Sequence, residues 1–308
     1  QTIAFSLPVI HNTSTAQENK LQAILSRSQR IVLGVPKTTR TDLVLAEARE
    51  PPIEALRKKE TCRHLIRLAT RHTDHSLIVK LQSRKKSSFY KHLQTVNRRL
   101  PRHRKRTLAR DTAPWTLSKI SIATEVPGIG KKSNTSDVVL KSLTLSHLEA
   151  NYSGTKKIYT DGSTAANRSA SAFHMDEWTQ GFKLSHATSS TTAELHAIMK
   201  ALQHIKASDK QSWTLCSDSK SALTSLCSPD ITNYLQYTIH ILYSDITSDG
   251  HTVQMQWITS HCGIEGNEQA DKAAKKALTN RTVAPIPFTK GDAARLLKSK
   301  TQTYAHKL

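Results

Sequence analysis

The chain has 308 residues with 45 Lys+Arg against 24 Asp+Glu, a formal net charge of +21 at pH 7, and only 37% hydrophobic and 5% aromatic residues. That length accommodates two domains at roughly 100 to 200 residues each, and the low apolar share implies that part of the chain packs loosely. No stretch approaches the ~18 apolar residues of a membrane span, and Gln1 to Ile10 lacks the basic start and apolar run of a signal peptide.

The expectation is a protein that neither crosses a membrane nor is secreted, located inside the cell with nucleus and cytoplasm both open. Cys62, Cys216, Cys227 and Cys262 form no C-x-x-C pair, which argues against a zinc site or a disulfide framework and suits reduced thiols. The first residue is Gln1 rather than Met, so the chain is expected to be a piece of something longer.

Residues 15 to 33 read as a helix, with a Thr15/Glu18 capping-box pattern, Leu21, Ile24, Leu25, Ile31 and Val32 on one face, and Gly34 with Pro36 as the stop. A shorter helix is expected over Thr41 to Arg49 and another over 53 to 71, after Pro51 and Pro52. Residues 1 to 83 are thus a small, basic, helical region. From 84 to 150 the periodicity weakens, and Pro101, Pro114 and the PGIG at 127 to 130 punctuate it as in a partly disordered linker.

From Lys156 the period changes. Lys157 to Thr160, Ala170 to Met175 and Gly181 to Ser185 predict three short strands in a meander. A helix over Thr192 to Lys206, a strand at Trp213 to Ser217, helices over Lys220 to Leu226 and Thr232 to Asp245, a strand at Val253 to Ile258 and a helix over Asn267 to Leu278 follow. The order βββαβααβα implies a mixed sheet flanked by helices, over a domain of 151 to 280. Residues 281 to 308 form a basic tail, with a helix over Asp292 to His306.

The charge is divided unevenly. Residues 1 to 150 hold 28 Lys+Arg and 11 Asp+Glu, and 151 to 308 hold 17 and 13. The excess peaks at Arg84 to Arg110, which has eleven basic residues and no acid, among them Arg84, Lys85, Lys86, Arg98, Arg99, Arg102, Arg104, Lys105 and Arg106. Such a run is either a solvated segment or a nucleic-acid contact surface. Between Lys220 and Lys272 there is no Lys or Arg at all, so a polyanion is repelled there unless cations intervene.

Four acids fall at particular places in this pattern. Asp161 ends the first strand in YTDGS, Glu194 lies in the first turn of the following helix in TTAEL, Asp218 ends the fourth strand in CSDS, and Asp271 lies in the last helix. Strand ends at one edge of a sheet, joined by helix starts, can bring four carboxylates to one point. They cannot all stay ionised there without compensation. Hard divalent cations with oxygen ligands remove the conflict, and two of them together activate water and stabilise a leaving oxygen. Taken singly each acid has an ordinary reading, as a turn residue, a helix-dipole partner or a solvated charge.

Asp161-Gly162-Ser163, Glu194, Asp218-Ser219 and the stretch from His261 to Asp271, in this order, closely resemble type 1 ribonuclease H over residues 156 to 278. The resemblance implies an α/β, ribonuclease H-like fold, a five-stranded mixed sheet flanked by helices, here preceded by a small basic helical region. It implies Mg2+-dependent hydrolysis of the RNA strand of RNA/DNA hybrids with two Mg2+ ions, Mn2+ being an alternative. Asp161, Glu194, Asp218 and Asp271 would be the metal ligands, and His261 would assist proton transfer or product release. Gly162 and Ser163 would sense RNA 2′-hydroxyls, and Ser189, Ser190 and Thr191, with Lys220, would stand where the family contacts nucleic-acid backbone. The stretch from Leu226 to Val253, where some members carry a basic protrusion, holds no basic residue.

Residues 21 to 60, with an LG-P-TT pattern and an AEAR-PP junction, resemble the thumb-like region after the polymerase palm in reverse transcriptases of non-LTR retrotransposons. No Y-x-D-D motif occurs in the chain, so polymerase activity is not expected of it, and the polymerase portion of the same polyprotein becomes an expected partner beside the RNA/DNA hybrid. Two other readings stay open. One is a catalytically inactive nucleic-acid-binding remnant of a retroelement. The other is an integrase-like nuclease or sugar-kinase-like ATPase of the same broad fold, which the His261 to Asp271 stretch disfavours.

Overall fold

Helix α1 (Thr15–Leu33) starts where the Ser14 hydroxyl accepts from the Gln17 amide at 3.3 Å and the Gln17 side chain accepts from the Ser14 amide at 2.9 Å. This reciprocal capping box lies one residue before the expected Thr15/Glu18 pair. Gly34, at φ 66, closes the helix in the left-handed region. Helices α2 (Thr41–Glu47) and α3 (Ile53–Arg71) follow. The computed structural model describes residues 14–71, 116–130, 135–176, 178–228, 231, 233–289, 291, 292 and 295, with 80, 83, 84, 86, 87, 90, 91 and 94. They belong to two compact units, 1–107 with 293–308, and 108–292.

In the first unit the inward face of α1 is polar. The Glu18 carboxylate pairs with Arg57, the Gln22 side chain accepts from the Ile53 amide at 2.7 Å, and Ser26 is fully buried. These positions repeat every four residues and form one stripe. Ile24, Ile31 and Val32, expected to pack inward, are turned outward as a result.

The second unit is built on a seven-stranded sheet in the order β1-β6-β5-β2-β3-β4-β7. Strands β2 (Lys156–Ala165), β3 (Arg168–Met175) and β4 (Trp178–Leu184) form the antiparallel meander. Strands β5 (Ser212–Ser217) and β6 (Thr252–Trp257) run parallel to β2 in succession. The two further strands, β1 (Ile122–Ala123) and β7 (Val283–Ala284), are edge additions of two residues each. The expected five-stranded sheet is thereby corrected to seven, since two residues are too few to show an alternation.

Alternation along the strands assigns the two faces. Ile158 and Leu215 join Leu195, Ile198, Leu202, Trp213, Ile239 and Met255 in the larger apolar cluster, under helices α5 (Ser190–Lys206), α6 (Lys220–Cys227) and α7 (Tyr234–Ser248). Their neighbours Tyr159 and Cys216 point to the other face, where Leu140, Leu148, Ile258, Cys262 and Ile264 gather. Helix α8 (Glu265–Ala277) also packs there, across β2, β3 and β4. A side chain on Gly266 would overlap the Tyr159 ring, so α8 approaches β2 this closely only with glycine at that point.

Leu140 and Leu148 come from helix α4 (Asp137–Tyr152), which lies inside the segment that reads as linker. Its buried stripe is Leu140, Thr144 and Leu148. Val138, Val139 and Leu145 stand exposed beside it, which blurs the period in the sequence. Residues 116–130 and α4 therefore belong with the sheet, as do 281–289 through β7. Of the basic stretch, Arg84 and Lys86 are described and exposed, while Lys85, Arg98, Arg99, Arg102, Arg104, Lys105 and Arg106 lie outside the described residues. So does most of the expected tail helix, of which Asp292 and Arg295 are described as helical. No helix among the described residues is long and apolar enough to cross a membrane.

Leu202 is fully buried in the larger cluster. Leu202→Ala is expected to lower unfolding free energy by about 2–5 kcal/mol through lost transfer energy and a cavity, read as a lower denaturant midpoint at unchanged slope. A loss below about 1 kcal/mol would mean that this face of the sheet is not close-packed.

Candidate active site

Strands β2 and β5 are parallel with Thr160 opposite Ser217. The next residues, Asp161 and Asp218, therefore emerge side by side where β5 ends. Glu194 reaches the same point from α5, because the backbone of that helix lies against Gly162. A Cβ on Gly162 would stand 2.5 Å from the Glu194 amide nitrogen and 2.8 Å from the carbonyl carbon of Ala193. One carboxylate oxygen from each of Asp161, Glu194 and Asp218 lies within 4.8 Å of the other two. Helix α5 begins at Ser190 rather than Thr192, so Glu194 sits two residues further in than expected, and the first turn holds no acid.

Burial and mutual repulsion set the electrostatics. Burial, then the charges of Asp218 and Asp271, push Asp161 up to about 7 against the opposing Gly162 amide and Lys275. Glu194 is driven well above the usual carboxylate range by burial and then by Asp161 and Asp218. Asp218 is raised by burial, partly offset by a hydrogen bond from Asn267 and by the nearby His261. The Oε2 atom of Glu194 is buried without a hydrogen-bond partner among the described residues. An oxygen-only donor set with an unsatisfied carboxylate oxygen fits a hard divalent cation such as Mg2+.

Asp271 stands apart from the three. Its charge raises Asp161 and Glu194, but its own carboxylate accepts from Lys275 Nζ at 2.6 Å, one helical turn on. Lys275 thus holds the expected fourth ligand, and the i,i+4 spacing of the two residues is visible in the sequence. His261 is exposed at φ 51, in the left-handed region, on the loop between β6 and α8.

Asn267 is the residue that sequence reasoning missed. It is buried in the first turn of α8 and donates from Nδ2 to Asp218 Oδ2 at 3.3 Å. Trp257 donates from Nε1 to the Asp218 carbonyl at 3.1 Å. Nothing in the spacing of GNEQAD separates Asn267 from its neighbours until the register of the sheet is known.

Among the expected nucleic-acid contacts, Ser190 is exposed and Thr191 half-buried, its hydroxyl 3.4 Å from that of Ser221. The Lys220 ammonium lies over the Trp257 ring at 5.4 Å and 3.8 Å from Glu125. Gly162 and Ser163 lie in β2, opposite Ser171 and Ala170. Ser189 has another task. It is the N-cap of α5, accepting from the Thr192 amide at 3.1 Å, and its own amide donates to Asp292 Oδ1 at 2.7 Å. Asp292 also accepts from the Thr192 and Thr289 hydroxyls, at 3.1 and 2.7 Å. Burial pushes this carboxyl up, but hydrogen bonds from His186, Thr289 and the Ser189 amide outweigh that and hold it below the usual range.

Residues 154–279 match the family model for RNase H. Among solved structures, the crystal structure of RNase H1 from the halophilic archaeon Halobacterium salinarum NRC-1 is similar at 20% identity and a TM-score of 0.34, over 41% of this chain and 98% of that one. Nothing among the curated proteins matches. The three clustered carboxylates, together with Asp271 and His261, all lie inside the matched range.

Proposed function

We propose that the chain hydrolyses the RNA strand of RNA/DNA hybrids, as a Mg2+-dependent type 1 ribonuclease H using two metal ions, and that it forms part of a non-LTR retrotransposon polyprotein acting inside the cell beside its polymerase portion. The buried carboxylate triad within the RNase H domain carries this reading. Asp161, Glu194 and Asp218 would hold the metal, with Asp271 joining them on release from Lys275. When bound, the cations supply charge neutralisation and polarise water and the scissile phosphodiester.

The chain's own residues supply the rest. Asn267 and Trp257 fix Asp218 through its side chain and carbonyl. The backbone at Gly162 and Ser163 borders the triad and offers contacts to RNA 2′-hydroxyls. His261, exposed and close enough to lower the pKa of Asp218, accepts or returns a proton at the solvent side. Ser190, Thr191 and Lys220 contribute contacts to the hybrid backbone, and the basic segment from Arg84 to Arg106 supplies the grip that the poorly basic domain lacks.

Labelled hybrid with Mg2+ tests the chemistry. Asp218→Asn is expected to lower RNA cleavage by more than about 100-fold, on the scale of losing one group that stabilises transition-state charge, while hybrid binding persists. Binding without cleavage by the unmodified chain would instead identify an inactive remnant. Removing residues 1–107 is expected to weaken hybrid binding and flatten its salt dependence while leaving metal-dependent cleavage in place. An unchanged salt slope would assign the grip elsewhere.

The raised carboxyls predict an unusual pH response. Between the ordinary Asp value of 3.8 and about 7, metal-free folded protein keeps a proton on Asp161 that the unfolded chain has released. Stability without metal therefore falls as pH rises through that window. Thermal melts with EDTA are expected to show Tm decreasing from pH 5 to 8, Mg2+ restoring it most at the high end, and Asp161→Asn removing much of the decrease. A Tm in EDTA that is as steep in Asp161→Asn as in the unmodified chain would contradict this account.

A further inference from the structure

The loop between β6 and α8 presents His261 in a backbone conformation that a residue with a side chain rarely adopts, φ 51, and Gly263 follows at φ 81. Such a conformation persists where its surroundings over-determine it. His261 is itself exposed, so the constraint comes from its neighbours. Ile258, Thr259, Cys262 and Ile264 are all buried, at 0, 2, 6 and 2% exposure. What they are buried against is α4, through Leu140, Leu148 and the fully buried Thr144.

The polar contacts there link the loop to the helix, with a direction fixed at Thr144. Thr144 Oγ1 donates to the Leu140 carbonyl, one turn back, at 2.8 Å. Its single proton is thus committed, and at 2.9 Å from Thr259 Oγ1 it acts as acceptor. The Thr259 hydroxyl in turn spends its proton on Thr144, and the Cys262 sulfur lies 2.9 Å from it. The Cys262 thiol donates to the Thr259 carbonyl at 3.5 Å. The sequence Cys262 to Thr259 to Thr144 to Leu140 ties both sides of His261 to one helix, and that helix lies before residue 154, where the family match begins.

We infer that Thr144 is a positioning residue for His261: its hydroxyl, as the acceptor for Thr259, holds the loop in the left-handed turn that presents the histidine at Asp218. The inference rests on the ribonuclease reading for its catalytic consequence. Its structural part, a tie between α4 and the loop, stands on the contacts alone. A purely packing role for position 144 makes a different demand, since valine fills the same volume without the hydroxyl.

The full-length chain carrying Thr144→Val or Thr144→Ser separates the two. In hybrid cleavage at saturating Mg2+, Thr144→Val is expected to lower kcat by about five- to tenfold, the scale of one lost hydrogen bond, with KM little changed. Thr144→Ser, which keeps the hydroxyl, restores most of the rate. In a His261→Ala background Thr144→Val should change kcat by less than about twofold, because the group being positioned is already gone. Amide hydrogen exchange of residues 259–263, read without substrate, should be faster in Thr144→Val than in the unmodified chain and in Thr144→Ser.

An undiminished kcat in Thr144→Val, or an equal fall in the His261→Ala background, overturns the positioning role. Unaltered exchange overturns the tie itself. If the unmodified chain cleaves no hybrid, the ribonuclease reading and the catalytic consequence fall together, while exchange still decides for or against the tie.

Discussion

Three carboxylates with oxygens within 4.8 Å of one another, in a site that burial has largely cut off from water, repel one another in the absence of a cation. The structure is arranged to tolerate this. Parallel register carries Asp161 and Asp218 out together, Gly162 lets a helix backbone close over the strand, and the hydrogen bond from Asn267 offsets part of the strain on Asp218. Lys275 lies one turn from Asp271 and neutralises the acid nearest to the three. An oxygen-only cluster held together against its own repulsion fits a hard divalent cation.

The two faces of the sheet divide the work. Beneath α5, α6 and α7 lies a conventional apolar layer of Ile, Leu, Met and Trp, with few polar atoms to place. The opposite face is thinner and mixed. There Tyr152 and His147 approach the Gln256 side chain at 2.9 and 3.2 Å, and Thr144, Thr259 and Cys262 form their own run of contacts. Buried polar groups in such a run must all find partners, and in doing so they fix relative positions more narrowly than apolar contacts do. The face that must hold a loop in one conformation is the one that carries them.

Much of this was legible beforehand, for identifiable reasons. Asp218 follows the end of its strand, marked by Ser219, and the meander of β2 to β4 follows from alternation and turn residues alone; Asp161, expected to end its strand before Gly162, lies within β2, which runs on to Ala165. Glu194 stands out through its place in an ordered set, although its helix begins two residues earlier than its apolar spacing suggests. The segment of helix α4 reads as linker because Val138, Val139 and Leu145 carry apolar side chains to its exposed side, while Thr144 occupies the centre of its buried one. Asn267 and Asp292 act through contacts across 49 and 103 positions of sequence, and no local pattern encodes such pairings. The edge strands are simply too short.

Asp292 has a consequence for what counts as the folding unit. It lies 13 residues beyond the end of the family match, yet it accepts from the amide of Ser189, the N-cap of α5, and from the hydroxyl of Thr192, two residues before Glu194. At the other end, α4 precedes the match and underlies the loop that bears His261. A fragment cut at the boundaries of the match would keep Asp161, Glu194, Asp218 and Asp271 and lose supports at both margins. The matched range and the piece of chain that must fold to hold these acids together have different lengths.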